Sequence, residues 1–274
     1  METKTMGVET ADTTALNVQI LDGICTITFN RPEVLNAISD QFTDELAAAL
    51  KSAQRDTDVR VIVLTGSGRA FSAGQDLAEL KAKYVPGHVP ALGDDLRRRY
   101  NPIIRRIRSM AKPVIAAVNG VAAGAGCSLA LACDLRIAGA SASFIEVFIN
   151  VGLIPDSGST WTLPRLVGYG RAMELSITGR PVKAEEALAI GLVNAVVEDV
   201  DLPDATLKMA ARIAALPAGA VSLTKQLLND SFENSIEDQL EAEAFAQETA
   251  GRTADHFEGV VAFLEKRPPH FKGS

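Results

Sequence analysis

Apolar and polar positions in the first third of the chain predict a β-hairpin followed by a helix. Residues 16–21 and 24–29 are rich in β-branched and apolar side chains, and the dipeptide Asp22-Gly23 between them favours a tight turn. Ser39 then stands at a predicted N-cap, and apolar residues recur at helical spacing over residues 42–53. The order at this end is therefore strand, strand, helix.

Strands and helices continue to alternate up to about residue 200. Buried strands are predicted at residues 59–65, 114–118, 135–138 and 193–197, with helices at residues 96–110 and directly after Gly124. After residue 200 only helical patterns remain, at residues 203–216, 219–232, 235–250 and 254–266. The pattern predicts an α/β core over residues 15–200, a C-terminal helical module over residues 201–274, and a flexible tail over residues 1–14.

Composition indicates a globular protein that acts on a small molecule. The 274 residues are 47% hydrophobic and 22% charged, which is enough apolar surface for a large core. The formal net charge of -7 disfavours nucleic acid or an anionic membrane as a partner. The chain shows neither a leader-like N-terminus nor an apolar run that could span a bilayer, so we expect a cytoplasmic protein with no membrane partner.

The cysteines and histidines indicate neither disulfides nor a metal site. Cys25, Cys127 and Cys133 are an odd number without CxxC spacing, and the three histidines form no HxH or HExxH cluster. We therefore expect no metal and no disulfide framework.

Two glycine-rich stretches approximate known motifs without completing them. Both GxG sequences, at residues 66–68 and 124–126, lack the third glycine of a dinucleotide loop, because Phe71 and Leu129 stand in its place. Residues 126–130 approximate the GxSxG elbow of hydrolases but end in alanine. Nucleotide binding and serine hydrolysis are accordingly disfavoured.

Four other segments give a more specific indication. They read FNRPEVLNA at residues 29–37, RAFSAGQDL at 69–77, NGVAAGAGCSLA at 119–130 and GLIPDSGST at 152–160. Their order and spacing resemble the crotonase (enoyl-CoA hydratase/isomerase) superfamily, and the resemblance extends from about residue 16 to residue 266. Residues 141–144 and 152–161 most resemble one branch of it, the 2-(1,2-epoxy-1,2-dihydrophenyl)acetyl-CoA isomerases.

The resemblance carries expectations about fold, substrate and assembly. It implies an α/β fold in which ββα units repeat as a spiral, followed by a C-terminal helical trimerisation module. The substrate would be an acyl-CoA thioester, with coenzyme A as part of the substrate and no separate cofactor. The chain would assemble as a homotrimer or as a hexamer made of two trimers.

The resemblance also implies an oxyanion hole for the thioester oxygen. By position, the backbone N–H groups of Ala73 and Ala125 would bind that oxygen, and the helix after Gly124 would direct its positive end at a developing enolate. Gly74, Gln75 and Asp76 would complete the substrate contacts of the first loop. Small residues at these points are consistent with close approach of a ligand to the backbone.

The acid–base residues depart from the hydratase pattern. Hydratases of the family hold their water with two glutamates, whose positions here are Ser128 and Phe148; both are retained as expected substrate contacts. Asp156 is the remaining candidate base, since some isomerases and dehalogenases of the family place a catalytic aspartate at this position. Phe148, Ile154 and Trp161 are expected to form an apolar pocket that raises its pKa. The alternative interpretation of Asp156 is an N-cap for the next helix.

The last helix carries the final candidates. By resemblance, Phe263 and Lys266 would reach the coenzyme A bound to a neighbouring subunit. The alternative is an ordinary amphipathic helix with Phe263 in its core and Lys266 in water. Six arginines between residues 97 and 108, around Tyr100, are assigned no role, because a charged run on a helix is more often a solvated surface.

Three functions remain open from the sequence. The first is a CoA-thioester isomerase with Asp156 as the base. The second is another reaction of the superfamily, such as weak hydration, thioester hydrolysis or dehalogenation. The third is a non-catalytic acyl-CoA binder, and activity on a thioester separates it from the other two.

Overall fold

The computed structural model describes residues 14–83 and 90–273. Nearly all of the predicted N-terminal tail, and His88, lie outside these residues. The strands are β1 Leu16–Leu21, β2 Ile24–Phe29, β3 Val61–Gly66, β4 Ala70–Ser72, β5 Val114–Val118, β6 Val121–Ala123, β7 Leu135–Gly139, β8 Ser143–Ile145, β9 Val182–Lys183 and β10 Ala195–Val197. The α-helices are α1 Asp40–Arg55, α2 Leu77–Lys83, α3 Leu92–Asp95, α4 Asn101–Ser109, α5 Ala125–Ala132, α6 Ser159–Val167, α7 Tyr169–Thr178, α8 Ala184–Ala189, α9 Leu202–Ala214, α10 Ala218–Asp230, α11 Ile236–Gly251 and α12 Ala254–Glu265.

The predicted hairpin and first helix are confirmed. β1 and β2 are antiparallel, and Asp22 and Gly23 between them have φ values of 49° and 78°, as a tight turn of this kind requires. Ser39 caps α1, since its side chain accepts a hydrogen bond from the Phe42 N–H. The apolar face of α1 is buried through Phe42, Leu46 and Leu50, which accounts for their helical spacing.

Within the described residues the strands form two sheets. The larger has the order β1-β2-β3-β5-β7-β10, and the smaller has the order β4-β6-β8-β9. From β3 to β8 consecutive strands come in pairs, the first entering the larger sheet and the second entering the smaller. Each of these pairs is followed by helical segments, which is the repeated ββα spiral expected from the resemblance. β9 then joins the smaller sheet and β10 the larger, with α8 between them.

Several predicted boundaries are corrected. β3 begins two residues later than predicted, at Val61, and β10 begins at Ala195. The helix predicted over residues 96–110 starts as a π-helical turn, Leu96–Tyr100, and continues as α4. The smaller sheet was not predicted at all. Its strands have two or three residues each, too few to show a period of two.

Helix α5 is buried along its whole length, and a buried arginine satisfies its carboxyl end. The guanidinium of Arg136 donates to the carbonyl oxygen of Cys133 at 2.6 Å and, more weakly, to that of Leu131 at 3.4 Å. Its Nε donates to the Leu192 oxygen at 2.7 Å. The bonds to Leu131 and Cys133 provide donors for carbonyl groups that a helix end leaves without partners.

The four predicted C-terminal helices are present and differ in how they pack. α9 lies against the larger sheet, with Leu202 and Ala210 buried beside Val61. α10 is fixed by Lys225, whose ammonium donates to the oxygens of Ile107 and Asp134, both at 2.7 Å. α10 to α12 and the turn after α10 leave large apolar side chains exposed, among them Leu228, Phe232, Ile236, Leu240, Phe245, Phe257, Phe263 and Leu264. Across the described ranges, no helix combines the length and apolar character needed to cross a membrane.

Candidate active site

The amino end of α5 presents one free backbone donor. Gly124, with φ 50°, is the N-cap, and its own N–H donates to the Ile145 oxygen at 2.9 Å. The next N–H, that of Ala125, has no acceptor among the residues that the structure describes. It belongs to the first turn of a helix, where N–H groups point outward along the axis toward an anion. Ala125 thus occupies the position predicted for it.

The first loop corrects one predicted donor. The Ala73 N–H donates to the Leu35 oxygen at 2.9 Å, so it is not free for a ligand and the prediction for Ala73 is wrong. Two residues later, the N–H of Gln75 has no acceptor within the described part of the chain. The sequence already contained the reason: Gly74-Gln75 leaves the strand by a turn, with φ 88° at Gly74.

The two free donors lie close together because the loop passes directly over α5. A Cβ atom built on Gly74 would lie 3.5 Å from the Ala125 nitrogen and only 2.7 Å from the Ala123 oxygen. Any larger side chain at Gly74 would push the loop away from the helix. Hydrogen bonds on either side of Gln75 hold it, from the Ile38 N–H to the Gly74 oxygen at 2.7 Å and from the Asp76 N–H to the Ile38 oxygen at 3.1 Å.

Asp76 is buried and anchors the loop from below. Its carboxylate lies 2.8 Å from the Arg31 guanidinium, and it accepts the Ala78 N–H at 2.9 Å. Burial opposes ionisation of Asp76, but the hydrogen bond from Arg31 and those from the Ala78 and Glu79 N–H groups leave its pKa lowered. The ionised side chain therefore has a structural partner for its charge and is not placed as a base.

Asp156 lies in a tight turn before α6 with its carboxyl half-buried. Ser157 Oγ donates to Asp156 Oδ1 at 2.8 Å. Burial raises the pKa of Asp156, the direction expected for a base, although the Ser157 hydrogen bond works against it. The capping alternative is wrong, because the N-cap of α6 is Gly158 and no side chain caps that helix.

The pocket predicted around Asp156 differs from expectation. Ile154 is 76% exposed and cannot supply an apolar wall within this chain. Trp161 packs edge-on against Phe232 and lines a cleft between α4, α6 and α10, and Asp156 is not part of that lining. Phe148 is buried, as predicted.

Both positions of the hydratase glutamates are occupied by groups that cannot activate water. Ser128 is fully buried, and its hydroxyl donates to the Gly124 oxygen one turn back in α5 at 3.3 Å. Phe148 packs below the same turn, close to Gly124. Neither side chain supplies a carboxylate next to the free donors of Gln75 and Ala125.

Comparison of the sequence with known protein families identifies the family of this chain. The profile described as enoyl-CoA hydratase/isomerase matches residues 19–274. The chain belongs to the enoyl-CoA hydratase/isomerase family. It is similar to the 1,2-epoxyphenylacetyl-CoA isomerase of Escherichia coli, with 46% identity over 92% of this chain and 95% of that protein.

Other family members named as hydratases are also similar. The short-chain-enoyl-CoA hydratase of Clostridium acetobutylicum is 38% identical over 89% of this chain and 92% of its own length. The crystal structure of an enoyl-CoA hydratase from Bacillus anthracis has a TM-score of 0.89 and 35% identity, covering 95% of this chain and all of that one. The comparisons therefore show the family and the crotonase fold. The reaction within the family has to be inferred from the residues of the site.

Two buried residues at this family site were not assigned from the sequence. The hydroxyl of Tyr100 donates to Gln75 Oε1, and Tyr100 lines a narrow cleft together with Ala125 and Ser157. Glu146 accepts a hydrogen bond from Ser159 Oγ at 2.6 Å. Tyr100 stands within a run of arginines that was assigned no role. Glu146 stands two residues before Phe148, the position of the second hydratase glutamate.

The C-terminal candidates are exposed in the single chain. Phe263 is 82% exposed, and Lys266 ends α12 in the left-handed conformation with φ 56°. The alternative interpretation, with Phe263 in the core of an amphipathic helix, is thus wrong for this chain. Whether either residue meets coenzyme A on a neighbouring subunit stays a prediction.

Proposed function

We propose that the protein is an acyl-CoA double-bond isomerase that works through a thioester enolate. The Asp156 carboxylate takes the proton from carbon 2 of a 3-enoyl thioester, and the C–H electron pair delocalises onto the thioester oxygen. The protonated Asp156 then returns the proton at carbon 4, which gives the 2-enoyl thioester with no net gain or loss of atoms. The reverse direction uses the same steps.

The observation that carries the proposal is the pairing of two free N–H donors with a single candidate base. The Gln75 and Ala125 N–H groups converge where the loop passes over α5, and hydrogen bonds to an oxyanion are worth more there than in water. The positive end of α5 adds to the stabilisation of the enolate.

The choice of isomerisation over hydration rests on the side chains around these donors. Hydration by the family's mechanism needs two carboxylates to orient and deprotonate water, and Ser128 and Phe148 stand in their places. Isomerisation needs one base that gives back the proton it takes. Asp156 has a pKa raised by burial, which makes its carboxylate a stronger base than an ordinary aspartate. The likeness to an isomerase at 46% identity supports the same choice.

The proposal is tested by following double-bond migration and water addition separately with 3-enoyl-CoA, 2-enoyl-CoA and an oxepin-type CoA thioester. We expect migration to exceed hydration by a large factor. Asp156→Asn should lower the turnover number by about 10²- to 10⁴-fold with little change in affinity. Hydration at the rate of a dedicated hydratase, or full turnover by Asp156→Asn, contradicts the proposal.

Thermal unfolding of the same variant provides the control. Because burial raises the pKa of Asp156, the ionised form is disfavoured in the folded protein at neutral pH. Asp156→Asn removes that charge and should leave the melting temperature unchanged or higher. A loss of activity without a loss of stability then identifies a chemical role.

Assembly belongs to the same proposal. We infer that the chain forms a homotrimer, or a hexamer of two trimers, through the exposed apolar side chains of α10 to α12. Phe263 and Lys266 would then be available to the coenzyme A on a neighbouring subunit. Sedimentation of a chain shortened after residue 250 should show monomers or aggregates with little activity, and a fully active monomer contradicts the inference.

A further inference from the structure

Glu146 is a buried carboxyl group that the proposed reaction does not use. It is 4% exposed and lies between two helices of the site, α5 and α6. Ser159, the first residue of α6, donates its hydroxyl to Glu146 Oε1 at 2.6 Å. The other oxygen, Oε2, is buried with no hydrogen-bond partner assigned among the described residues, and the thiol of Cys127 on α5 lies beside this carboxyl.

The turn that Glu146 supports is under backbone strain. Ser157 and Gly158 have φ values of 51° and 80°, so two successive residues are left-handed and one of them is not glycine. Such a conformation is energetically unfavourable and persists only where surrounding contacts enforce it. The Ser159 N–H donates to the Asp156 oxygen at 2.9 Å, which closes the turn at the residue that Glu146 holds.

Glu146 is also joined to the oxyanion side of the site. It follows Ile145, whose carbonyl oxygen accepts the Gly124 N–H at 2.9 Å, directly before the Ala125 donor. A single side chain thus connects the turn that carries Asp156 with the start of the helix that carries the Ala125 N–H. The separation between base and oxyanion donor depends on this connection.

We propose that Glu146 is a positioning residue that holds the Asp156 carboxylate at a fixed distance from the Ala125 N–H by linking Ser159 to the first turn of α5. The inference rests on the proposed function, since it concerns the geometry of that reaction. An error of about 1 Å between base and substrate is enough to cost about 10²-fold in rate.

The protonation state of the Glu146 carboxyl affects its contacts with Ser159 and Cys127. An ionised carboxylate so deeply buried requires a cation or several donors, and Glu146 accepts one hydroxyl hydrogen bond and lies beside a thiol. Burial is the largest effect on Glu146 and raises its pKa, the hydrogen bonds with Ser159 and Cys127 lower that pKa in part, and the negative charge of Asp156 raises it. Neutral Glu146 keeps an acceptor for Ser159 and gains an Oε2–H that can face the Cys127 sulfur.

The test compares an isosteric variant with truncated ones. Glu146→Gln keeps an acceptor for Ser159 and a donor toward Cys127, so we expect its turnover number within about threefold of the native value and an unchanged acid limb of the pH–rate profile. Glu146→Ala and Ser159→Ala should lower the turnover number by about 10- to 100-fold with little change in KM. Their double variant should be no worse than Glu146→Ala alone. Asn194→Ala, which removes a partly buried hydrogen bond from the Arg136 backbone N–H, serves as a control for stability and should keep its turnover number.

Two outcomes overturn the proposal. If Glu146→Gln loses as much activity as Glu146→Ala, or if its acid limb moves to lower pH, Glu146 is ionised in the working enzyme and acts by its charge. If Ser159→Ala and Glu146→Ala both retain native turnover, the link does not position Asp156.

Infrared spectroscopy separates this failure from failure of the proposed function. The carbonyl band of a protonated, buried carboxylic acid should be present at neutral pH in the native protein and absent from Glu146→Gln. That measurement needs no substrate, and absence of the band from the native protein also overturns the inference. If the native protein does not isomerise enoyl thioesters while the band is present, the proposed function fails and the assignment of neutral Glu146 stands.

Discussion

The hydroxyl of Tyr100 donates a hydrogen bond to the side-chain carbonyl of Gln75, the residue whose backbone N–H replaces that of Ala73 in the candidate oxyanion hole. Tyr100 is buried, and burial together with nearby negative charge, including that of Asp156, raises the pKa of its hydroxyl. Tyr100 is therefore a neutral hydrogen-bond donor at neutral pH. It joins the loop of Gln75 to the π-helical turn before α4.

Removal of the Tyr100 hydroxyl should weaken the oxyanion hole at Gln75 without changing the candidate base. Tyr100→Phe loses one hydrogen bond worth about 1 kcal/mol, so kcat/KM should fall by about fivefold. Steady-state kinetics on a 3-enoyl thioester measure the change. Tyr169→Phe, at an exposed tyrosine of α7, is the matched control and should behave as the native protein. Equal losses in both variants speak against the role of Tyr100.

The pH dependence of turnover should be set by Asp156 and adjusted by Ser157. Turnover requires the ionised carboxylate, so it falls as the pH drops through the pKa of Asp156, which burial places above the usual 3.8. The Ser157 hydrogen bond stabilises the carboxylate and lowers that pKa. Ser157→Ala should therefore move the acid limb of the pH–rate profile to higher pH.

Ser157→Gly distinguishes this electrostatic effect from backbone strain. Glycine also lacks the hydroxyl but accepts the left-handed conformation of Ser157 at no steric cost. Both variants should shift the acid limb by the same amount, while Ser157→Gly alone relieves strain in the turn. An acid limb that stays in place in both variants would mean that another group controls the pH dependence.

Close packing of α5 against β4 should make Gly126 intolerant of any side chain. A Cβ on Gly126 would lie 2.5 Å from the Ser72 oxygen and 2.7 Å from the Ser72 Cβ. We expect Gly126→Ala to cost about 1–3 kcal/mol of stability and to lower turnover, because the displaced helix carries the Ala125 donor. Denaturant unfolding and kinetics measure both effects.

Gly170→Ala is the matched substitution for that experiment. Gly170 lies within α7, and no atom is within 4 Å of a Cβ placed there. Reduced entropy of the unfolded chain should stabilise this variant by about 0.4–1 kcal/mol, with unchanged activity. Destabilisation of both variants to the same extent would show that packing against β4 is not the cause.

The charge of Lys266 gives a test of the shared site. Lys266→Gln should weaken the binding of coenzyme A and reduce the salt dependence of that binding, while the oligomer remains intact. Titration at two ionic strengths and sedimentation measure the two properties. Lys208→Gln, at an exposed lysine of α9, controls for the change in net charge. Unchanged affinity in Lys266→Gln is incompatible with a contact between Lys266 and coenzyme A.

The inner strands of the larger sheet could be predicted from the sequence because they are five or six residues long and mostly buried on both faces. β5 was predicted at its observed bounds, since Val114–Val118 is a continuous apolar run. The smaller sheet has strands such as Val121–Ala123, whose side chains read equally well as a loop. Three residues do not reveal a period, and only pairing with β4 and β8 makes this segment a strand.

The donor at Ala125 could be predicted from its position in the sequence. The choice between Ala73 and Gln75 could not, because it depends on the path of the backbone. Ala125 begins a helix, so its free N–H follows from the glycine that caps it. Ala73 and Gln75 are equally close to Gly74 in the sequence, and only the hydrogen bond from Ala73 to Leu35 decides between them. Glu146 could not be assigned because its partner Ser159 is thirteen residues away.

The guanidinium of Arg136 adds a long-range consequence to the local packing described for α5. Its partners there are carbonyl oxygens, and among the described residues no carboxylate forms an ion pair with it. The charge lies about 12 Å behind the Ala125 donor, the length of an eight-residue helix. At an effective dielectric constant of about 20, a unit charge at roughly that distance or slightly beyond lowers the energy of an enolate by about 1 kcal/mol, or about fivefold in equilibrium population. On the proposed function, the acidity of a bound thioester would thus be tuned in part by a residue that no substrate can touch.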